Sequence, residues 1–256
     1  MIDPRAVVDP RAQIAPDAQI GPFCVIGPDV EIGPRTVVSS HVVIRGPTRI
    51  GADNRIFQFA SVGEDSADQK YRGEPTRLVI GDRNVIREGV TIHRGTVQDR
   101  AETSIGDDNL LMAYAHVGHD SVIGNHAILV NNAAIAGHVV VGDWAILGGY
   151  ALVHQRVHIG AHSFAAMGSA IGKDVPAFVI VSGSPARAKG INQEGLRRRG
   201  FDQHAIAALR LAYRIVYRQK FKVDEALRAL GELAAEHEAV RVFADSIAVA
   251  TRGIAR

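Results

Sequence analysis

Across the first two-thirds of the chain, every sixth residue is apolar and nearly always branched. Ile14, Ile20, Ile26, Ile32, Val38, Ile44, Ile50, Ile56 and Val62 keep the interval unbroken, and it resumes at Ile80, Ile86 and Ile92. After a one-residue slip it runs from Ile105 through Leu111, Val117, Ile123, Leu129, Ile135, Val141, Leu147, Val153 and Ile159 to Ala165 and Ile171. Two places earlier the residue is small or branched: Ala12, Ala18, Cys24, Val30, Thr36, Val42 and Thr48, later Ala115, Ser121, Ala127, Ala133, Val139, Ala145 and Ala151. Call these the first and third places of a hexad. Period-2 alternation turns both inward and leaves the second place facing out. Places four to six are rich in Gly, Pro, Asn and Asp, which turn the chain. A short strand and a turn every six residues predicts a parallel β-helix repeat. Three flat sides make a coil of 18 residues, and twenty-four hexads make about eight coils.

Two segments break the interval, one between Val62 and Ile80 and one near Thr96 to Glu102, which holds the slip. They predict loops near 63–79 and 96–104, and loops on a solenoid often carry binding groups. The β pattern ends near Pro185, and helical periodicity follows. Ile206, Leu209, Ala212, Tyr213 and Val216 share one face behind Asp202 as N-cap. Asp224 is the expected cap of a second helix with Ala226, Leu227, Leu230 and Leu233 inward, and a third holds Val240, Phe243 and Ile247. The expected organisation is a mainly β solenoid over 1–186 and a small helical C-terminal domain over 187–256.

Bulk properties exclude several classes. A net charge of +2 over 256 residues does not call for nucleic acid. The single cysteine, Cys24, excludes an internal disulfide and a cysteine-rich metal site. MIDPRAVVDP lacks a signal-peptide core, and no apolar run is long enough to span a membrane. The expectation is a cytoplasmic protein with no membrane span.

The chemistry concentrates in the stretch from Ala115 to Gln155. Residues 18 apart stack on successive coils, about 4.8 Å apart along the axis. His119, Gly137 and Gln155 therefore form one column at a turn, with His138 and His154 beside it and His116 pointing outward from the His119 hexad. None of these histidines occupies an inward place. Such a cluster suits bound zinc, for which three histidines and an open position suffice. It also suits proton transfer, since imidazole titrates near neutrality. Gly137, one coil above His119, admits a substrate close to the backbone, and its N–H can steady an oxyanion. A base and an oxyanion donor are the minimum for acyl transfer to a hydroxyl.

At this point the chain becomes recognisable. MIDPRAVVDP, IGPF, YRGEPTR, VTIHRGT, DNLLM, AHVGHD, NNAAIAGHV, RRRGF and the final TRG closely resemble the acyl-carrier-protein–UDP-N-acetylglucosamine O-acyltransferase family, which begins lipid A synthesis in Gram-negative bacteria. The resemblance covers essentially the whole chain. It implies a left-handed β-helix, against the usual right-handed crossover, and a homotrimer with active sites in clefts between neighbouring coils. It implies an (R)-3-hydroxyacyl group on acyl carrier protein as donor, the 3-hydroxyl of the GlcNAc of UDP-GlcNAc as acceptor, and no cofactor or metal. By resemblance His119 is the general base, Asp120 its orienting partner and Gly137 the oxyanion donor. Asp68 and Lys70 resemble sugar- and acyl-contacting residues. His93, His116, His138, His154 and Gln155 resemble groups lining the cleft. Asn192, Glu194, Arg198 and Arg199 resemble the nucleotide end, where guanidinium forks suit phosphate.

Two departures from the family pattern matter. Met167 stands where long-chain members carry Gly at the blind end of the acyl groove. With Phe164 beside it, this predicts a donor of about ten carbons rather than about fourteen. Pro185 replaces a common histidine near the nucleotide. Arg45, Arg49, Arg55, Arg83, Arg87 and Arg94 are the candidates for a basic strip facing an acidic carrier protein. The alternatives are the N-acyltransferase of the same pathway, which carries an extra N-terminal domain, a γ-type carbonic anhydrase, and a non-catalytic solenoid.

Overall fold

The computed structural model describes residues 1–219 and 221–256. The hexads close into a three-faced, left-handed parallel β-helix. Face one holds nine strands from Val7–Val8 to Ala170–Ile171, and face two holds eight from Gln13–Ile14 to His158–Ile159. Face three runs from Gln19–Ile20 to Val179–Ser182 and ends on an antiparallel strand, Arg187–Ile191. Third-place residues lie over one another coil by coil: Val117 on Ile135, Ile135 on Val153, Val153 on Ile171. All are buried, as are the first-place alanines between them. Each coil thus buries its apolar side chains against only the coils above and below, at roughly 1.5–3 kcal/mol for each large side chain.

Turn chemistry follows from two crowded places. Fourth-place glycines are required by the approach of the next coil: a Cβ on Gly118 would lie 2.6 Å from the carbonyl carbon of Ala136. The sixth place is left-handed at nearly every corner, as in Asp120 (φ 57°) and His138 (φ 62°). Asp, Asn and His tolerate this region better than most residues, and the others there cost about 1–2 kcal/mol each.

Three first-place residues are asparagines and fully interior. Asn54, Asn84 and Asn109 stack at the corner between faces two and three. Asn84 accepts from the Asn109 N–H (2.9 Å) and donates to the Gly106 carbonyl (2.9 Å); Asn54 and Asn109 make the equivalent bonds to their own neighbours. The ladder continues the β-helix across both loop insertions, which lengthen the coil offset to 30 residues (Val62 on Ile92) and 25 residues (Ile86 on Leu111).

The C-terminal region adds α1 (Gln193–Arg198), α2 (Gln203–Arg218), α3 (Val223–Ala229), α4 (Gly231–Glu236) and α5 (Glu238–Ala248). Asp202 caps α2 by accepting from Ala205 N–H at 2.7 Å, and the five expected apolar residues of α2 are buried. Val240, Phe243 and Ile247 of α5 are buried too. The second predicted helix differs. Its N-cap position is Lys222, whose N–H is taken by the Glu225 carboxylate (2.9 Å), so Asp224 lies inside the first turn. The helix also breaks at Leu230, ahead of Gly231, into α3 and α4. The helices begin only at Gln193, because residues 187–191 complete a sheet hairpin. The buried carboxylate of Asp174 accepts from His158 N–H (2.8 Å) and Arg252 N–H (3.2 Å), which ties the TRG tail to the solenoid. Among the described residues no helix is long and apolar enough to cross a membrane.

Replacing Asn84 by Ala orphans a buried N–H on Asn109 and the carbonyl of Gly106. The expected loss is about 2–5 kcal/mol, read as a lower urea midpoint at fixed protein concentration.

Candidate active site

Both loops leave the solenoid at the corner between faces one and two. The first departs after Ser61–Glu64 and returns at Arg77–Ile80; the second departs after Thr91–His93 and returns at Glu102–Ile105. The next turn at this corner carries His119 and Asp120, the one after it Gly137 and His138, and the third His154, Gln155 and Arg156. The period therefore stacks the predicted residues on the coils above the two loops, and the second loop reaches them through Thr96 and Asp99.

The left-handed backbone at Asp120 lets two adjacent side chains pair. His119 Nδ1 lies 2.9 Å from Asp120 Oδ2. Asp120 is fully enclosed and also accepts from Thr96, through its N–H (2.9 and 3.0 Å) and its hydroxyl (2.6 Å). Burial pushes the Asp120 carboxyl up, but the bonds from His119 and Thr96 overcome it and hold the group below its ordinary value. A carboxylate accepts only, so the network assigns the proton to Nδ1 of His119 and leaves a lone pair on Nε2.

Gly137 lies directly against that nitrogen. A Cβ there would stand 2.5 Å from His119 Nε2. Its N–H also lacks the partner that fifth-place residues at another corner possess. Between faces two and three, fifth-place N–H groups are taken by the side chain one coil above: Asp82 by Asp107 (2.8 Å), Asp107 by Asn125 (2.7 Å), Asn125 by Asp143 (2.7 Å). Above Gly137 stands Gln155, and Gly137 N–H donates to no acceptor among the described residues. A base nitrogen and a free amide donor thus face the same space.

Other expected residues gather around this pair. The His138 ring stands edge-on to His119, centroids 4.9 Å apart, with its Nδ1 2.5 Å from Asp99 of the second loop and its Nε2 3.4 Å from Arg156. His93 and His116 form a second edge-on pair at 5.1 Å, and Thr91 Oγ1 lies 2.7 Å from His116 Nδ1. His154 and Gln155 are exposed on the coil above, and Asp68 and Lys70 lie in the first loop, joined by a 2.9 Å bond from Lys70 N–H. Thr96 and Asp99, which hold Asp120 and His138, were not foreseen. The only signal was the HRGT segment at the start of a loop facing the histidine column.

The remaining candidates lie elsewhere on the prism. Asn192, Glu194, Arg198 and Arg199 sit at the corner between faces two and three. Asn192 caps α1 and donates to the His162 carbonyl (2.9 Å), and Glu194 pairs with Arg198 (2.9 Å). Arg199 lies over the Trp144 ring (5.2 Å) and 3.2 Å from His162 Nδ1, in a stack that runs His126, Trp144, His162, Phe178. Phe164 lies on the outer side of face three, and Met167, 80% exposed, at the corner between faces three and one. One chain therefore distributes the three expected parts of a site over three corners.

The six arginines do not form a strip within the chain. Arg49 projects from face two toward Glu31 and Arg55 from face three over Phe57, while Arg45, Arg83 and Arg87 pair with Glu64, Asp108 and Glu88. Arg94 is interior and bonds the Gly63 carbonyl at 2.6 Å. Their spacing set them outside the apolar place but not on a common side.

Comparison with known proteins identifies the family. Residues 174–255 match the family described as UDP-N-acetylglucosamine O-acyltransferase, domain 2, and residues 11–46 and 102–137 match bacterial transferase hexapeptide repeats. An acyl-[acyl-carrier-protein]–UDP-N-acetylglucosamine O-acyltransferase from Stutzerimonas stutzeri is 69% identical over 212 residues, 83% of this chain and 82% of that protein. The protein of that name from Pseudomonas aeruginosa is 68% identical over 79% of each chain. A UDP-N-acetylglucosamine O-acyltransferase structure from Moraxella catarrhalis superposes with a TM-score of 0.98 at 48% identity, covering 100% of this chain and 99% of that one. A Francisella novicida UDP-N-acetylglucosamine acyltransferase gives 0.98 at 44% identity, covering 100% and 94%.

Two histidines have strongly lowered affinity for protons. Burial, and then the nearby charges of His93 and His119, bring His116 to about 4; burial and then Arg199 bring His162 to about 4. An unfolded histidine titrates near 6.5. The unfolded chain then binds more protons between those values, so stability falls as pH drops from about 6.5 to about 4. Histidine ring NMR signals should show both still neutral at pH 5.5; titration near 6.5 would contradict the packing.

Proposed function

Because the chain belongs to the UDP-N-acetylglucosamine O-acyltransferase family, we propose that it transfers an (R)-3-hydroxyacyl group from acyl carrier protein to the 3-hydroxyl of the GlcNAc of UDP-GlcNAc, the first step of lipid A biosynthesis. The observation that carries the chemical assignment is the contact of Gly137 with Nε2 of a histidine whose other nitrogen is held by Asp120.

His119 Nε2 takes the proton of the sugar 3-hydroxyl as the oxygen attacks the thioester carbonyl. The imidazolium formed is stabilised by the enclosed Asp120 carboxylate. The oxyanion is met by Gly137 N–H, which has no competing partner. Collapse breaks the C–S bond, and the phosphopantetheine thiolate leaves with the proton returned by His119. No step needs a metal or cofactor, since the thioester already activates the acyl group. His93, His116, His138, His154, Gln155, Asp68 and Lys70 are the groups proposed to line the acceptor and donor cleft.

The site is shared between subunits of a homotrimer in this reading. Two observations support it. Asn192, Glu194, Arg198 and Arg199 lie at a different corner from His119, so a second copy must bring them to the nucleotide. Phe59, Tyr114, Tyr150, Leu152 and Met167 are each more than half exposed and all lie on face one or at the corner leading into it, an apolar surface that an assembly would cover. Met167 from such a neighbour closes the acyl groove, with Phe164 beside it. The donor is then about ten carbons long, as a methionine side chain displaces several methylenes. The proposed location is the cytoplasm, where acyl carrier protein and the nucleotide sugar are made.

A ladder of (R)-3-hydroxyacyl carrier proteins with UDP-GlcNAc tests the reading. Product should peak near ten carbons, fall by roughly 10²–10⁴ in His119→Ala, and shift to longer donors in Met167→Gly. An optimum at fourteen with wild type would overturn the length assignment, and no transfer from any donor would overturn the function. Gly137→Ala keeps the N–H but pushes a methyl into the ring, so kcat should drop by about 10² with the fold intact by circular dichroism.

A further inference from the structure

We propose that the histidine cluster also forms an inhibitory site for a divalent transition metal, which binds His119, His138 and the carboxylate of Asp120, leaves a fourth position open, and switches the base off. One ring nitrogen each of His119 and His138 and an oxygen of Asp120 lie within 4.8 Å of one another. The individual separations are 2.9 Å from His119 Nδ1 to Asp120, 3.9 Å from His138 Nδ1 to the same oxygen, and 2.5 Å from His138 Nδ1 to Asp99. Zinc with nitrogen and oxygen ligands at about 2.0–2.2 Å sets its tetrahedral ligand atoms about 3.3 Å apart. The two separations to Asp120 bracket that spacing, so shifts of roughly half an ångström admit the ion. The Asp120 carboxylate and, beside His138, the Asp99 carboxylate balance its charge, and Thr96 already fixes Asp120 from behind as an outer partner does around metals.

The consequence for the base follows from tautomerism. In the metal-free protein the proton sits on Nδ1 and the lone pair on Nε2 faces Gly137. When the metal takes the Nδ1 lone pair, that proton moves to Nε2. No proton is gained or lost, but the nitrogen facing the acceptor now carries a hydrogen and cannot take another. Arg156, 3.4 Å from His138 Nε2, opposes the metal by charge and by occupying the nitrogen that must receive His138's own proton. The effect on the rate rests on the reading of His119 as base; the binding does not.

The experiment uses Co²⁺ as a spectroscopic probe and Zn²⁺ as competitor on the purified full-length protein. Co²⁺ should give the visible d–d bands of a four-coordinate site, Zn²⁺ should abolish them, and transferase rate should fall over the same Zn²⁺ range and return with chelator. Asp99→Asn should weaken metal binding about tenfold or more, Arg156→Ala should strengthen it, and His204→Ala, on an exposed helix position, should not change it. No d–d bands in large Co²⁺ excess, or equal affinity in wild type and Asp99→Asn, overturns the site. Asp99-dependent binding in a protein without transferase activity would leave the metal site standing and remove the proposed function instead.

Discussion

The structure depends on one constraint: each coil must hydrogen-bond and pack in register on the coil below, at a fixed 18-residue offset. Parallel rungs satisfy the backbone only if every coil has the same shape. The branched third-place residues hold that shape by filling the prism axis, and fourth-place glycines let the corners close. Where two insertions lengthen the offset, the interior asparagines carry backbone bonds from coil to coil, so the register survives a change of length. Stability of this kind is a sum of neighbour interfaces, and a fault at one rung disturbs those next to it.

The same register builds the site. A prism with fixed offset places residues 18 apart over one another without any side-chain interaction to hold them. His119 and Gly137 meet because the period is kept, not because they bind each other. The glycine does two things at that position. It leaves room for the ring, and its own N–H is untaken because the Gln155 side chain above does not accept from it. Left-handed backbone at Asp120 then supplies the orienting carboxylate from the adjacent residue, and the second loop supplies Thr96 to keep it ionised. Proton transfer and charge stabilisation are thus products of a repeat interrupted at the right corner.

Much of this was readable in the residues alone. The six-residue interval determined the solenoid, its inward positions, the two loop sites, and the stacking of His119, Gly137 and Gln155. Period-3.6 patterns determined the faces of α2 and α5, and Asp202 as a cap. These features are local or strictly periodic, so a linear text contains them. Tertiary structure decided what spacing leaves open. The capping of α3 went to Lys222 and Glu225 rather than Asp224, because the backbone direction at that turn chose which N–H needed an acceptor. Thr96 and Asp99 joined the site from a loop whose path no period describes. The arginines fell on all sides, and Arg94 turned inward to bond the Gly63 carbonyl, Asp65 and the Tyr71 hydroxyl. The nucleotide-end residues and Met167 came to rest at two other corners. A hexad repeat fixes which residues share a column but not how columns on separate faces meet, and that depends on the geometry of a closed prism and of what packs against it.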